Sequence, residues 1–521
     1  MKKPILNYFV FIGVAWFALT SCDGSQNSES SENSEVSENS VQMLMQERVA
    51  DPNIQPNVLP YTIEFVEQDF SNKPALPGLQ SYTSAVNQAG EILVVGGRRQ
   101  GLHTFMAAPA KNFIPDSANN FLYVVDPASG DFWSFDVNGL KNELSEQLQS
   151  NNLQGYHDLE TDEMYVVGGY GWLADGSDMK TFGSIIRFKV EEVTQAIKNG
   201  ASATEVGALM EYGKDDRFAV TGGDLIKMGG RFYLVFGQRF DGQYRAFGGT
   251  DFTQEYTEEV RIFTLKQGSL DILSYGTSTS PDPDQPFHRR DGNIIEDVDP
   301  ATGSERITAL GGVFPPGVIG GYDYPIYITG PQNPVVKKDV HQKFSQYECP
   351  IISIYDDEVD NKSIYRTMFG GIGLYYYSQD TSQKRIYNLA TAQGRNDGIP
   401  FVADISTFIE SADGTYAEYI NSEPIKNNRL LGASVNFIGN RKLESQGKAT
   451  GNGILKLSGL ADGEKVLAGY ILGGIEAAAP LPEIPNKGTW ASNSIFAVYV
   501  TKTPSGAIPS SFGIKADPNT Q

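Results

Sequence analysis

Arginine, tyrosine and carboxylate side chains recur in short polar segments along this chain. Guanidinium groups pair with carboxylates through two parallel hydrogen bonds, and aromatic faces stack on the apolar faces of sugar rings. A concave rim of such residues predicts a binding site for a glycan, a sugar acid or another small anionic ligand. The candidate ligand-binding residues are Tyr82, Arg99, Tyr156, His157, Trp172, Arg217, Arg239, Arg289, Arg290, Asp291, Tyr347 and Glu348.

Each candidate also has a simpler interpretation. The pairs Arg98–Arg99 and Arg289–Arg290 could be solvated charges that pair with the many acidic residues, and the three tyrosines could be packing residues. His157, which precedes Asp158, could be an imidazole oriented by a carboxylate or a histidine satisfied within the fold. The sequence contains no nucleophile elbow, zinc-protease motif or phosphate-binding loop. No catalytic residue is therefore assigned, and no metal or cofactor is predicted.

A short apolar run that ends in a glycine pair organises the rest of the sequence. A strand that ends in two glycines can turn where a Cβ would not fit or where φ is positive. Repeats at intervals of about 50 residues or more, each rich in strands, indicate a propeller of four-stranded blades. The good copies are Ile92–Gly97, Met164–Gly169, Ile307–Gly312, Tyr365–Gly371 and Gly469–Gly474, and a frayed copy is Phe232–Gln238.

The first repeat carries the clearest family resemblance. Its later segment, YVVDPASGDFW at Tyr123–Trp133, and the glycine pairs together resemble the kelch repeat over about residues 60–505. The resemblance implies an all-β, kelch-type β-propeller with six four-stranded blades and a ligand site at the mouth of its channel. Because Tyr61–Gln68 alternates as a strand before the first repeat, we expect it to pair beyond Ile495–Val500 and to close the last blade.

Two groups of enzymes share this propeller superfamily. Tyr156-His157 and the segment around Cys349 resemble fragments of the copper-radical oxidases, but the chain has only four histidines, and Cys349 and Tyr82 would lie two blades apart. The six-bladed kelch sugar-acid mutarotases are similar in having a rim rich in arginine and glutamate. If the protein is an enzyme, we therefore expect an activity of the carbohydrate mutarotase or epimerase kind.

The N-terminus resembles a bacterial lipoprotein signal. Lys2 and Lys3 precede the mostly apolar stretch Ile5–Leu19, and Leu19-Thr20-Ser21-Cys22 resembles a lipobox. We expect a cleaved signal peptide at 1–21 and a lipid on Cys22. A transmembrane anchor is the alternative, but the apolar stretch is shorter than the roughly 20 residues that a span needs.

The remaining chain divides by composition. We expect an acidic tether rich in Ser, Asn and Glu at 22–55, the propeller at 56–505 and a C-terminal tail at 506–521. The tether lacks the apolar residues that a core needs. Acidic residues just after a lipidated cysteine resemble a surface-export signal, which predicts an outer-membrane protein anchored by lipid and exposed at the cell surface.

Charge and cysteine content narrow the possible partners. The formal net charge of −22 disfavours nucleic acid and anionic lipid surfaces, so we expect membrane contact through the lipid anchor only. Cys349 is the only cysteine besides Cys22. With Cys22 lipidated, no intrachain disulfide can form.

The sequence therefore predicts a surface-anchored propeller that binds a glycan or a sugar acid at its channel mouth. The alternative is a protein–protein interaction scaffold of the outer membrane that uses two polar insertions, Ser378–Pro400 and Gly439–Leu460. A pocket lined by the polar candidates would favour the small ligand, whereas an exposed apolar patch along the insertions would favour a protein partner.

Overall fold

The computed structural model describes most of the chain from Leu59 to Ala516. The described ranges are 59–246, 248–317, 320–332, 334–358, 360, 362–373, 376–378, 385–387, 399–421, 423–482, 485–504 and 513–516. The predicted signal peptide, the tether with Cys22 and most of the insertion Ser378–Pro400 lie outside the described residues.

Strands dominate the described chain, and most of them form six antiparallel sheets built around four strands each. In the first three sheets, each strand follows its neighbour along the sheet in chain order. Sheet 1 contains β2 (Gln80–Val86), β3 (Ile92–Arg98), β4 (Phe121–Val125) and β5 (Phe132–Asp136); sheet 2 contains β6 (Gln154–Asp158), β7 (Glu163–Val167), β10 (Ser184–Lys189) and β11 (Glu211–Lys214); sheet 3 contains β12 (Asp224–Met228), β13 (Arg231–Val235), β16 (Glu259–Leu265) and β17 (Ile272–Thr279).

Sheet 4 repeats this pattern, sheet 5 extends it with two added strands, and in sheet 6 the strand at the far edge, Tyr61–Glu67, comes from the other end of the described chain. In sheet 5, a short strand pairs in parallel with the first strand and another strand extends the far edge. Sheet 4 contains β18 (Asn293–Val298), β19 (Glu305–Leu310), β20 (Ile326–Ile328) and β21 (Val335–Val336); sheet 5 contains β22 (Ile351–Asp356), β23 (Ser363–Phe369), β26 (Ile405–Ser411) and β27 (Tyr416–Asn421), with β30 (Leu455–Lys456) and β35 (Gly513–Ala516) added; sheet 6 contains β29 (Ile438–Gly439), β31 (Lys465–Leu472), β34 (Ile495–Lys502) and β1 (Tyr61–Glu67).

Smaller elements lie between these sheets. Three small sheets and five α-helices are described, and α2 packs its buried Val193 and Ile197 into the core that sheets 1 and 2 share. The small sheets are β8 (Tyr170–Trp172), β9 (Met179–Thr181), β14 (Gln238–Gly242) and β15 (Phe252–Tyr256); β28 (Leu430–Ala433), β32 (Ile475–Ala477) and β33 (Thr489–Ala491); and β24 (Tyr376–Ser378) and β25 (Arg385–Tyr387); the helices are α1 (Asn142–Leu148), α2 (Val190–Lys198), α3 (Ala203–Ala208), α4 (Lys442–Ser445) and α5 (Pro485–Gly488).

The glycine pairs behave as the sequence predicts. Both glycines of all five good copies have positive φ; Gly96 and Gly97, for example, have φ of 71° and 86°. In the frayed copy, Phe236 adopts φ 56° before Gly237 at 86°, so the turn is kept although one glycine is missing. The apolar strands before these turns are the core: every residue of β3 is buried.

The strand predicted near the N-terminus pairs with the last long strand. All seven residues of β1 pair antiparallel with β34, from Tyr61 opposite Lys502 to Glu67 opposite Phe496. Tyr61 is also buried, and its hydroxyl lies 3.0 Å from Thr367 Oγ1 in sheet 5. The first described strand and the end of the chain's repeat region therefore share one sheet.

Within the described residues, no helix has the length and apolar character needed to cross a membrane.

Candidate functional site

One cavity lies between the first strands of the six sheets. Its volume is about 780 Å³, and residues of β2, β6, β12, β18, β22 and β29 line it. At one end, exposed residues such as Glu160, Gly230, Glu305 and Gly453 form a mouth that opens to solvent. The insertion Gly439–Leu460 contributes to this mouth through residues that include Glu444 and Gly453.

Six residues close the other end of the cavity, which we call the floor. Each of them lies at the start of the first strand of its sheet or a few residues before that strand. Among the residues that line the cavity from one sheet, each is also the first in the sequence. Backbone N–H groups donate from Asn152 to Ser81 at 3.0 Å, from Gly222 to Asn152 at 3.3 Å and from Asp291 to Gly222 at 2.8 Å. Further such bonds run from Ser434 to Glu348 at 2.7 Å and from Ser81 to Ser434 at 2.8 Å. The floor residues are Ser81, Asn152, Gly222, Asp291, Glu348 and Ser434.

The floor has an unusual backbone conformation. All six residues have positive φ, between 48° and 66°, although only Gly222 is a glycine. Non-glycine residues rarely adopt this region, and such strain is concentrated at functional sites. Gly222 has a second reason to lack a side chain, because a Cβ there would lie 2.5 Å from Asp291 Oδ1. The absent side chain leaves room for the Asp291 carboxyl group.

The carboxyl groups of Asp291 and Glu348 form a pair in the floor. The two side chains are in hydrogen-bond contact, and burial together with repulsion from Asp291 raises the pKa of Glu348 well above its usual range. Burial also raises the pKa of Asp291. Two carboxyl groups in contact avoid like-charge repulsion by sharing a proton. Ser434 Oγ donates to Glu348 Oε2 at 2.7 Å and so helps to hold the Glu348 carboxyl group in place.

The cavity wall carries further carboxyl groups. Burial raises the pKa of Asp224 to about 7, and burial together with the nearby Asp224 raises the pKa of Glu296 to about 8. Asp158, another lining residue, forms an ion pair with Lys227. At pH 7, Glu296 is thus largely a neutral carboxyl group and Asp224 is neutral about half of the time, and the neutral form can both donate and accept hydrogen bonds.

Five of the sequence-predicted residues line this cavity: Tyr82, Tyr156, His157, Asp291 and Glu348. The Tyr82 hydroxyl donates to the carbonyl oxygen of Leu472, so it is also a structural contact. His157 Nε2 lies 3.2 Å from Asp162 Oδ1, so its partner is not the neighbouring Asp158. Burial lowers the pKa of His157 to about 4, and its imidazole is neutral at physiological pH.

The other seven candidates do not line the cavity. Arg217 and Arg239 are each about 40% exposed and pair with an aspartate two residues away, Asp215 at 2.5 Å and Asp241 at 2.8 Å. Each of these two arginines thus has an acidic partner close to it in the sequence. These two side chains are occupied at the surface and do not converge on a ligand.

The remaining candidates hold other structural positions. The Arg289 guanidinium lies 4.3 Å from the Tyr322 ring centroid, and Arg99 donates to the Asp116 carbonyl oxygen at 2.8 Å. Trp172 lies under Lys111, whose Nζ is 4.7 Å from the indole ring. Arg290 and Tyr347 are buried next to the floor carboxyls Asp291 and Glu348, respectively, outside the cavity.

Sequence reasoning missed several lining residues. Ser81, Asn152 and Ser434 gave no chemical signal, although asparagine is a residue type that tolerates positive φ. Asp224 and Glu296 are ordinary-looking residues of alternating strands. Their shared position becomes visible only when β12 and β18 are placed side by side.

The described residues contain no group of three or more His, Cys, Asp and Glu side chains that could hold a metal ion. Cys349 is buried, and its sulfur accepts a hydrogen bond from Asn293 Nδ2 at 3.4 Å.

No family model matches the chain, and no curated protein matches it. Among solved structures, the chain is similar to one titled "Structure of YjhT", with a TM-score of 0.42 and 12% identity, over 81% of this chain and 95% of that chain.

Proposed function

We propose that this protein is a lipid-anchored component of the outer membrane whose six sheets form a kelch-type β-propeller and whose central cavity binds a small polyhydroxylated ligand, a glycan or a related sugar. The arrangement of six first strands around one cavity supports a closed ring. The backbone bond from Ser81 to Ser434, which joins sheets 1 and 6, and the pairing of β1 with β34 support closure between the two ends of the repeat region.

The carboxyl groups of Asp224 and Glu296, which we call the wall carboxyls, indicate which kind of ligand the cavity would bind. A neutral carboxyl group donates one hydrogen bond and accepts others, which matches the alternating donors and acceptors of sugar hydroxyls. The basic lining residues are already paired with carboxylates, namely Lys227 with Asp158, Arg306 with Glu410 and Arg441 with Asp162. A negatively charged ligand would therefore meet Glu305 and the floor pair without a free positive charge among the lining residues. The cavity therefore favours a neutral or amino sugar over a sugar acid, and its volume lies within the range typical of small-molecule sites.

The scaffold alternative has less support in the described structure. The insertion Gly439–Leu460 lines the cavity mouth, and its described residues include no large exposed hydrophobic side chain. By the criterion set from the sequence, this pattern favours a small ligand over a protein partner.

The floor pair supports a second candidate function, a carbohydrate mutarotase or epimerase. A pair that shares one proton could give a proton to the ring oxygen of a reducing sugar as it takes one from the anomeric hydroxyl group. The ring C–O bond would then break and re-form with either anomeric configuration, and both protons would be returned. Exchange spectroscopy of α and β anomers would test this activity; an exchange rate unchanged by the protein would contradict it.

Binding is tested by a calorimetric screen of neutral, amino and acidic sugars against the full-length protein. We expect Asp224→Ala and Glu296→Ala to weaken binding of the best ligand about tenfold each, since each removes a hydrogen-bonding group. Asp224→Asn and Glu296→Gln should retain binding, because an amide also donates and accepts. Equal losses in the alanine and amide variants would contradict binding through neutral carboxyls.

The anchor is tested separately. Metabolic labelling with a fatty-acid analogue should label the wild-type protein and not Cys22→Ala, which should also leave the membrane fraction or remain uncleaved. Label retained by Cys22→Ala would exclude Cys22 as the lipidated residue. Protease accessibility on intact cells would then test surface exposure.

A further inference from the structure

Two buried arginines lie on the side of the floor opposite the cavity. Arg98 is 6% exposed and Arg290 is 8% exposed, and neither lines the cavity. Both interact electrostatically with the floor carboxyl Asp291, and Arg98 also interacts with Glu348. The carboxyl pair thus separates the cavity from a second, cationic environment.

Part of the hydrogen-bonding capacity of these arginines is not used within the described structure. Arg98 Nε and Nη1 and Arg290 Nε are buried and have no hydrogen-bond partner. Arg290 Nε lies 3.3 Å from Asp291 Oδ2, an ion-pair distance without hydrogen-bond geometry. Leaving a buried cationic donor unpaired is costly, so three such donors on two neighbouring arginines indicate that an acceptor is missing.

The charge balance leads to the same conclusion. Asp291 and Glu348 share a proton and so supply about one negative charge, whereas Arg98 and Arg290 supply two positive charges. The nearby His103 adds no charge: burial and the field of Arg98 lower its pKa to about 3, so it is a neutral imidazole. One positive charge is left without a partner in a buried environment, which favours a monovalent anion.

Aromatic rings shape the surroundings of the two arginines. The Arg98 guanidinium lies 4.1 Å from the Phe113 ring centroid, and His103 stacks on the same ring at 5.2 Å. Tyr244 lies edge-on to His103 at 4.6 Å, and its hydroxyl accepts a hydrogen bond from Arg290 Nη2 at 3.5 Å. His103 is half-buried, so solvent reaches the edge of this cluster.

We propose that Arg98 and Arg290 form an anion-binding site on the far side of the floor, and that its ligand is a small carboxylate. At the end of the planar Arg98 guanidinium, one N–H of the unpaired Nη1 and one N–H of Nη2 point in the same direction, and a carboxylate has two oxygens at a matching separation. The site is separate from the cavity and does not depend on the sugar that the cavity binds.

The test uses sodium acetate as the probe, with sodium chloride at equal ionic strength as the comparison. Acetate should raise the melting temperature of the full-length protein in a saturable manner, by about 2 °C at ten times its Kd. Arg98→Gln should abolish this shift, and Arg98→Lys should weaken acetate binding about tenfold because lysine keeps the charge but loses the fork. Arg231→Gln, at an exposed arginine that begins β13, should behave as wild type.

A second variant tests the charge balance by an expected gain, and not a loss, of acetate affinity. The double variant Asp291→Asn with Glu348→Gln removes the negative charge of the pair, so acetate should bind about tenfold more tightly or better. A merely structural role for the arginines would not produce this gain. Chloride as effective as acetate, a shift retained in both Arg98 variants, or no gain in the double variant would each overturn the proposal. If Arg98→Gln fails to fold, Arg98→Lys and the double variant still decide it.

Discussion

Replacing the wall carboxyls by amides should stabilise the protein at alkaline pH. Asp224 and Glu296 have folded-state pKa values raised by burial to about 7 and about 8, from ordinary values of 3.8 and 4.5. At a pH between the ordinary and the folded-state pKa values, the folded state holds protons that the unfolded state has released. Stability from these groups is therefore present at pH 4 and is lost as the pH rises through 7 and 8.

The size of the expected stability change follows from the size of the two pKa shifts. One pKa unit corresponds to about 1.4 kcal/mol, so about three units would give roughly 4 kcal/mol per residue as an upper bound. Both side chains face a cavity that water can enter, and Asp224 Oδ1 accepts a hydrogen bond from the Leu225 N–H at 2.8 Å. Because water in the cavity screens part of this effect, we expect each replacement to raise the free energy of unfolding at alkaline pH by about 1–2 kcal/mol.

The assay is urea unfolding of wild type, Asp224→Asn, Glu296→Gln and the double variant at pH 4.5, 6.5 and 8.5. The double variant should exceed wild type by about 2–4 kcal/mol at pH 8.5 and match it at pH 4.5. Glu444→Gln, at the exposed cavity mouth, should change neither value. A difference between double variant and wild type that does not grow with pH would refute the assigned environment of these carboxyls.

Three further predictions concern the scaffold. Deletion of residues 23–67, which removes β1, should lower the free energy of unfolding by about 3 kcal/mol or more relative to deletion of residues 23–55, because it exposes the edge of β34; equal urea midpoints would contradict it. Arg366→Met should cost about 3–5 kcal/mol, since Arg366 and Asp297 are both fully buried and paired at 2.7 Å; a loss below about 1 kcal/mol by urea unfolding would contradict it. Gly222→Ala should cost about 1–3 kcal/mol, because its φ is 66° and its Cβ would meet Asp291; wild-type stability in thermal unfolding would contradict it.

Much of the sheet structure could be predicted from the sequence because its signals are local. An apolar strand followed by two residues with positive φ is recognisable wherever it occurs, and even Phe236 keeps the turn of the frayed copy. The β1 strand was predictable for the same reason, since its alternation is complete within seven residues. Pairing partners that lie more than 400 residues apart, such as β1 and β34, then follow from the need to cover an edge.

The site was less predictable because it depends on relations between sheets. Arg217 and Arg239 have the chemistry of ligand-binding residues, but an aspartate two residues away satisfies each of them. The floor is formed by backbone hydrogen bonds between residues that lie far apart in the sequence, such as Ser81 and Ser434. No local sequence pattern indicates that such residues are neighbours. The wall carboxyls acquire their shifted pKa values only from the burial that the neighbouring sheets create.

The central claim is that a small polyhydroxylated ligand occupies the cavity between the six sheets. Asn436 is an exposed lining residue, so a tryptophan there would fill part of the cavity without displacing a buried side chain. Calorimetric titration of the best sugar from the screen should give one site on the wild-type protein and at least about a tenfold loss of affinity in Asn436→Trp. Asn199→Trp, at another exposed position just after α2, should bind as wild type. Undiminished binding in Asn436→Trp would contradict the account, because the ligand would then lie elsewhere.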